Sequence, residues 1–316
     1  MKRLFAVILV VVFALIVIAA NYILGPFIPA KTLPVKTSDP WILQSNNPAN
    51  KYGTYLGSGR IGARIGPTGV GWIDGKPTDC FMMGIYQDEK IIPLPQWSDF
   101  PIYDERGRRF QIDRRSPYRQ TLNMREGYVR TELTLRSGLQ KLTGEVTFFI
   151  SKSENPLAYD VAAISYRLKP KFSGKVFLDY ALGSASEWKN VVLAQTIPGG
   201  SEFVGRTKEG QGVIVCASVR DADGGIVDHE VELRRGREIV LTKWVAFGDA
   251  SGCAPTLDRR RPYTAWVTTG DMLEAARGRL EAASKAGFAK VFAEHKKAWR
   301  QQWASDIIIE GDPEAQ

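Results

Sequence analysis

The chain has 316 residues, 44% of them hydrophobic and 24% charged, with 30 glycines, 17 prolines and only 3 cysteines. These values exclude bulk disorder and a disulfide framework, and they allow one large core or two modest ones. Lysine and arginine outnumber aspartate and glutamate by 42 to 34, yet Arg106, Arg108 and Arg109, Arg114 and Arg115, and Arg259 to Arg261 fall in separate Gly-, Pro- or Asp-containing segments; they read as solvated surface charge, and nucleic acid is excluded as a partner.

In chain order, Lys2 and Arg3 precede a nearly unbroken apolar run from Leu4 to Leu24. Its length is close to the ~20 residues that cross a hydrocarbon core. Positive flanking charge keeps the short N-terminus cytoplasmic and sends the remainder out. Residues 1–25 are therefore a transmembrane anchor or, with Ala20 closing a cleavage site, a signal peptide. Either reading exports the globular part, as a membrane-anchored or a secreted protein. Residues 26–40 carry Pro26, Pro29, Pro34 and Pro40 and read as an extended spacer.

From Trp41 to Gly270 the pattern is short β-type runs parted by turn residues. Gly57-Ser-Gly59-Arg-Ile-Gly62 spells a dinucleotide-binding fingerprint, but Gly66-Pro67 forbids the helix that must follow it. A tight turn between two strands is expected there, with glycine supplying positive φ. Further strands are read at 128–135, with Val129, Thr131, Leu133 and Leu135 on one side, and at 142–150, 161–168, 175–182, 212–219, 229–234 and 238–247. Their spacing is that of a large antiparallel β-sandwich. Asp223-Gly224-Gly225 and Arg235-Gly236 read as hairpin connections between neighbouring runs. The Pro-, Asp- and Arg-rich segment from Trp97 to Arg115 reads as a long surface loop.

The period changes to a helical one only in residues 271–316. Asp271 has the form of an N-cap with Glu274 three residues on. Leu273, Leu280, Phe288, Val291, Phe292, His295, Trp299 and Trp303 follow at mostly three- and four-residue steps, and Gly287 divides the run into two helices. Asp306-Ile-Ile-Ile-Glu310 is expected to be extended.

Few residues carry chemistry. Cys80, Cys216 and Cys253 lack zinc-site spacing, and His229 and His295 are far apart in sequence. His295 lies on the apolar side of its helix and reads as a packing histidine. Asp88-Glu89, Asp104-Glu105 and Asp221/Asp223 sit in turn-like contexts and read as solvated charges rather than a catalytic pair. Trp72, Trp97, Trp188, Trp244 and Trp266 could stack on sugar faces, although Trp244, inside a β-type run, reads as core. No catalytic, cofactor-binding or metal-ligating residue is assigned, and no substrate-binding residue is identified.

Two stretches carry a resemblance. Thr54-Tyr-Leu-Gly-Ser-Gly-Arg-Ile-Gly-Ala-Arg64, continuing through Pro67-Thr-Gly-Val-Gly71 and Asp74-Gly-Lys-Pro77 to Met83-Gly-Ile-Tyr86, resembles the early glycine-rich strand and turn of glycoside hydrolase family 65. The helix bearing His295, Trp299 and Trp303, with its Asp-Ile-Ile-Ile-Glu-Gly-Asp tail, is similar to that family's junction between sandwich and catalytic barrel. The resemblance implies a non-catalytic N-terminal super-sandwich, with linker helices and the start of a barrel in 271–316. It further implies metabolism of α-linked glucosides of the trehalose or maltose type, in a chain truncated or completed by a separately encoded (α/α)6 barrel. The alternative is a carbohydrate-binding or assembly module without enzymatic activity. The aromatic helix, with only the sandwich to cover it, suggests self-association or barrel binding as the other partner relation.

Overall fold

The computed structural model describes residues 38–152, 160–183, 188, 190–208, 211–249 and 269–304, together with 12, 13 and 16. Apart from those three positions the apolar run from Leu4 to Leu24 lies outside the described residues, as do Cys253, Arg259 to Arg261, Trp266 and the Asp306 to Glu310 stretch. Among the described residues no helix is long and apolar enough to cross a membrane.

The architecture is mainly β, and every ladder between the described strands is antiparallel. A ten-stranded sheet runs, in spatial order, Ile42–Ser45, Arg119–Asn123, Tyr128–Ser137, Gln140–Ile150, Val161–Pro170, Ile239–Asp249, Gly212–Asp221, Gly200–Arg206 and Asn190–Ile197, with Gln111–Ile112 paired to Tyr128–Ser137 off this path. One face of this sheet meets a second layer of short sheets. That layer comprises Thr54–Gly57 with Ile61–Ile65 and Cys80–Met82, Glu230–Leu233 with Gly174–Leu178 and Ile102–Asp104, and two small hairpins. Strand alternation decides the facing: Val129, Thr131, Leu133 and Leu135 are buried toward the second layer, as the period-two pattern requires. Val146 and Phe148 of the large sheet join Ile61, Trp97 and Phe100 of the second layer in one apolar cluster. Each such side chain contributes roughly 1.5 to 3 kcal/mol by burial.

The predicted turn forms. Ser58 N–H donates to the Ile61 carbonyl at 3.0 Å, and Gly59 sits at φ +90°, where a side chain would be strained. The other two turns form but do not join paired strands. Gly212–Asp221 and Ile239–Asp249 belong to the large sheet, whereas Glu230–Leu233 between them belongs to a three-stranded sheet of the second layer. Turn chemistry is local, so it marks a reversal without fixing which sheet receives the chain.

The segment from Trp97 to Arg115 is not a surface loop. Trp97 and Phe100 are fully buried, and Ile102–Asp104 is a strand of the second layer. The Trp97 ring lies 4.9 Å from Phe247 and 5.7 Å from Phe148. Its charges can enter because they neutralise one another. Arg109 donates to both Asp99 oxygens at 2.7 Å, and Asp104 accepts from Arg108 Nε at 2.8 Å, from Ser137 at 2.7 Å and from two backbone N–H groups. Arg109 and Asp104 therefore depart from the solvated reading, while Arg106, Arg108 and Arg114 are exposed as expected.

Helices Thr269–Ala286 and Phe288–Gln302 flank Gly287. Asp271 is in the first turn rather than at the N-cap, because the helix begins two residues earlier. Both helices pack on the outward face of the large sheet, Met272 and Ala276 against Ile214 and Cys216, and Ala283, Val291 and Phe292 against Phe149, Val161 and Trp244. His295 fastens the second helix. Its Nδ1 accepts the Lys152 N–H at 3.0 Å, so Nε2 carries the proton and donates to the Gly127 carbonyl at 2.9 Å. Gly127 lies so near Trp299 that an added Cβ would stand 2.1 Å from its Nε1, at φ +66°. Trp303 stacks on Trp299, meets Trp41 at a tilt with ring centroids 4.6 Å apart, and donates to the Met124 carbonyl at 3.2 Å.

Candidate functional site

The outward face of the large sheet is organised in rows of directly opposed residues. One row runs Tyr128, Phe149, Ala163, Trp244, Ser218 across five strands, and the helices lie over it. Two residues along every strand, the next row reads Arg130, Thr147, Ser165, Thr242, Arg220. Three hydroxyls are thus framed by two guanidinium groups. At strand spacing the row spans roughly 19 Å. A third row holds Glu132, Glu145, Arg167 and Val240.

Where the helices end their cover, a cleft of about 640 Å³ opens. Its floor includes Thr147, Ser165 and Thr242, and its helical wall includes Phe288, Lys290, Phe292 and Lys296. The volume lies within the roughly 300 to 1,000 Å³ usual for small-molecule sites. Ser165 and Thr242 share a hydrogen bond at 3.1 Å. Glu145 stands 3.9 Å from both Arg130 and Arg167, beyond hydrogen-bond reach of either. Arg220 pairs with Glu281 of the first helix at 3.1 Å. Asp221 is engaged by its own turn, accepting N–H bonds from Asp223 at 2.9 Å and Gly225 at 2.8 Å.

Of the residues singled out from sequence, Asp221, Gly224, Trp244, Gly287, Phe288 and Phe292 line this cleft, and the other described candidate tryptophans, cysteines, histidines and acids do not. Trp97 and Trp188 are buried, the latter donating to the Pro93 carbonyl at 2.9 Å, so neither presents a ring to a sugar. Trp72 is half-buried with the Arg109 guanidinium 3.9 Å from its ring centroid. Trp244 is core as expected, but on the outward face beneath Phe288 rather than between the layers. Cys80 and Cys216 are buried free thiols, pushed up to about 11 and about 12 by burial, the opposite of an activated nucleophile. His229 is exposed and packs on Phe177, while His295 is the packing residue described above. Asp88 and Glu89 are exposed in a hairpin turn, with Lys208 on Asp88. Glu105 is exposed and accepts the Lys175 N–H. Among the described residues no group of three His, Cys, Asp or Glu could hold a metal ion.

Three buried acids, Asp104, Asp113 and Glu202, are held as anions. Asp104 and Asp113 lie below the usual carboxylate range although burial opposes it, because Ser137, Arg108 and backbone N–H groups serve the first, and Lys141, Arg115 N–H and Ser116 the second. Arg277 lowers Glu202, which accepts from it at 2.6 and 2.8 Å. Lys243, fully buried on the inward face, is pushed down to about 8 by burial and donates to the Asp99 carbonyl at 2.8 Å. The cleft residues Arg130, Arg167 and Arg220 were missed from sequence. Outward parity on each strand was readable, but their alignment in adjacent rows depends on pairing between distant strands.

Residues 54–302 match the family described as glycosyl hydrolase family 65, N-terminal domain. Among solved structures, a protein from the human microbiome assigned as a kojibiose phosphorylase superposes with a TM-score of 0.62 at 15% identity, over 84% of this chain. At that identity the likeness is one of fold. The chain spans 38% of the length of that protein. No curated protein sequence matches the chain.

Proposed function

The chain belongs to glycosyl hydrolase family 65, matched through its N-terminal domain, and on that premise we propose that it is a non-catalytic sandwich of a protein metabolising α-linked glucosides of the trehalose or maltose type. Its chemistry is completed by a helical catalytic barrel outside residues 1–316. The observation that carries this reading is the state of the buried acids. Glycoside cleavage by inversion needs one carboxyl raised in pKa to protonate the leaving oxygen, with its partner roughly 6.5 to 9.5 Å away. Asp104, Asp113 and Glu202 are instead lowered and ion-paired. The test is to incubate the purified chain with trehalose, maltose and kojibiose. No turnover is expected, and turnover abolished by an internal carboxylate substitution overturns the reading.

The second reading, a carbohydrate-binding or assembly module, is favoured by the cleft with its hydroxyl row and apolar wall. In both readings the domain is exported, and residues 1–25 either hold it at a membrane or are cleaved to release it, a proposal supported by Lys2, Arg3 and the apolar run that follows. Protease added from outside is expected to reach residues beyond the spacer. Intact mass then separates the two forms, since a mature N-terminus near Asn21 means a cleaved signal.

A further inference from the structure

We infer that the cleft on the outward sheet face binds a saccharide bearing an acidic group, a carboxylate or a phosphate, with the anion held by Arg130, Arg167 and Lys290. The inference rests on the reading of this chain as a carbohydrate-associated domain and names the ligand class of its cleft.

Charge is the first argument. Five basic side chains line the cleft, Arg130, Arg167, Arg220, Lys290 and Lys296, against the two acids Glu145 and Asp221. Neither lining acid makes a hydrogen bond to them. Glu145 is shared by two guanidinium groups at 3.9 Å from each, and Asp221 is spent on its turn. From outside the lining, Glu238 meets Arg167 at 3.5 Å and Glu281 meets Arg220 at 3.1 Å, both acids at exposed positions. Lys290 and Lys296 have no carboxylate partner among the described residues; Lys296 rests on the Phe292 ring at 4.9 Å. The Nε atoms of Arg130 and Arg220 find no acceptor among the described residues either. The polar balance of the cleft is therefore left open on the cationic side, at Lys290, Lys296 and the two unmatched Nε atoms, where an anion closes it. The start of the second helix adds to the same sign, since it has no side-chain cap, no acid in its first turn and Lys290 within it.

The neutral lining argues for a sugar rather than a bare ion. Thr147 can donate and accept, and the Ser165–Thr242 pair keeps one donor and spare acceptor lone pairs, which suits sugar hydroxyls. Phe288, Val240 and Ala289 offer apolar surface to the C–H face of a pyranose ring. A cleft of about 640 Å³ exceeds what an inorganic anion needs.

The test uses the full chain in detergent, titrated calorimetrically with a glucuronic-acid-terminated disaccharide, glucose 6-phosphate, neutral maltose and inorganic phosphate. One or both acidic sugars are expected to bind at least ~10-fold more tightly than maltose and than phosphate, weakening as salt is raised. The two acidic sugars decide between carboxylate and phosphate. Arg167→Gln and Lys290→Glu, both at exposed positions, are each expected to lower that affinity by ~10-fold or more without changing the melting temperature. Maltose binding as tightly as the acidic sugars overturns the anion assignment and leaves the carbohydrate-domain reading intact. Phosphate binding as tightly as glucose 6-phosphate overturns the saccharide. Undiminished binding by both variants, or no binding of either acidic sugar, overturns the site.

Discussion

The two halves of the outward sheet face lie one row apart and do opposite things. The row from Tyr128 to Ser218 is apolar in its middle and carries the helices, with Phe292 5.1 Å from Tyr128 and 5.2 Å from Phe149. The row from Arg130 to Arg220 is hydroxyl and guanidinium, and it floors a cleft that the helices wall on one side instead of packing onto it. The same five strands supply both. A β-sheet face is thus not assigned to solvent or core as a whole. Changing residue type at every second position along each strand is enough to move the boundary by one row, roughly 7 Å. The covered half is a packing surface whose loss costs stability, while the open half can be altered cheaply and is free to bind.

The sharpest way to break this comparison is on the covered half. Phe292→Ala removes a side chain only 8% exposed and is expected to cost about 3 to 5 kcal/mol, read from chemical denaturation. A cost under 1 kcal/mol means that the helices are not held by this contact.

The next largest effect is with pH. Burial pushes His295 down to about 4 from 6.5, and a proton on Nδ1 would face the Lys152 N–H donor. The folded state then binds fewer protons than the unfolded one between those values, so stability is fully present above about pH 6.5 and falls as pH drops toward 4, by on the order of 3 kcal/mol. His295→Gln can keep both hydrogen bonds and does not titrate. It is expected to flatten melting temperature between pH 6.5 and 4; an unchanged slope refutes the assignment.

Arg277→Ala leaves Glu202, 3% exposed, with Gln195 as its remaining side-chain partner. The expected cost at pH 7 is about 1 to 3 kcal/mol. Because Glu202 is lowered in the folded state, the stability it contributes is present above the usual glutamate range and lost on acidification, so the variant and parent should converge toward pH 3. Parallel curves down to that pH would show that Arg277 acts through packing alone.

The smallest effect is expected on the open half. Arg167→Gln, at a side chain 59% exposed, should change stability by no more than about 0.5 kcal/mol. A larger loss in the same denaturation assay would show that the charged row supports the fold and would erase the contrast.

Most elements were legible before the structure. The strands read at 128–135, 142–150, 161–168 and 212–219 each fall within an observed strand, and Gly287 parts the two helices as the period change suggested. Trp97, Asp99 and Arg109 were misread because composition sees polar residues one at a time. A charged segment enters the core when Arg109 and Asp99 satisfy each other, and a single residue type does not report its partner.

Taken alone, the sequence determined which residues share a side of each strand, where the reversals fall, where the helices begin to repeat and which family the glycine-rich turn resembles. These are local properties, set by backbone sterics and by periods of 2 and 3.6 residues. Only the tertiary structure decided that Arg130, Thr147, Ser165, Thr242 and Arg220 form one line, that Glu230–Leu233 leaves the large sheet, and that His295 reaches Lys152 and Gly127. The reason is that parity along a strand is fixed by its own residues. Alignment across strands is fixed by pairing between segments distant in the chain, and that pairing is selected by burial of the whole core.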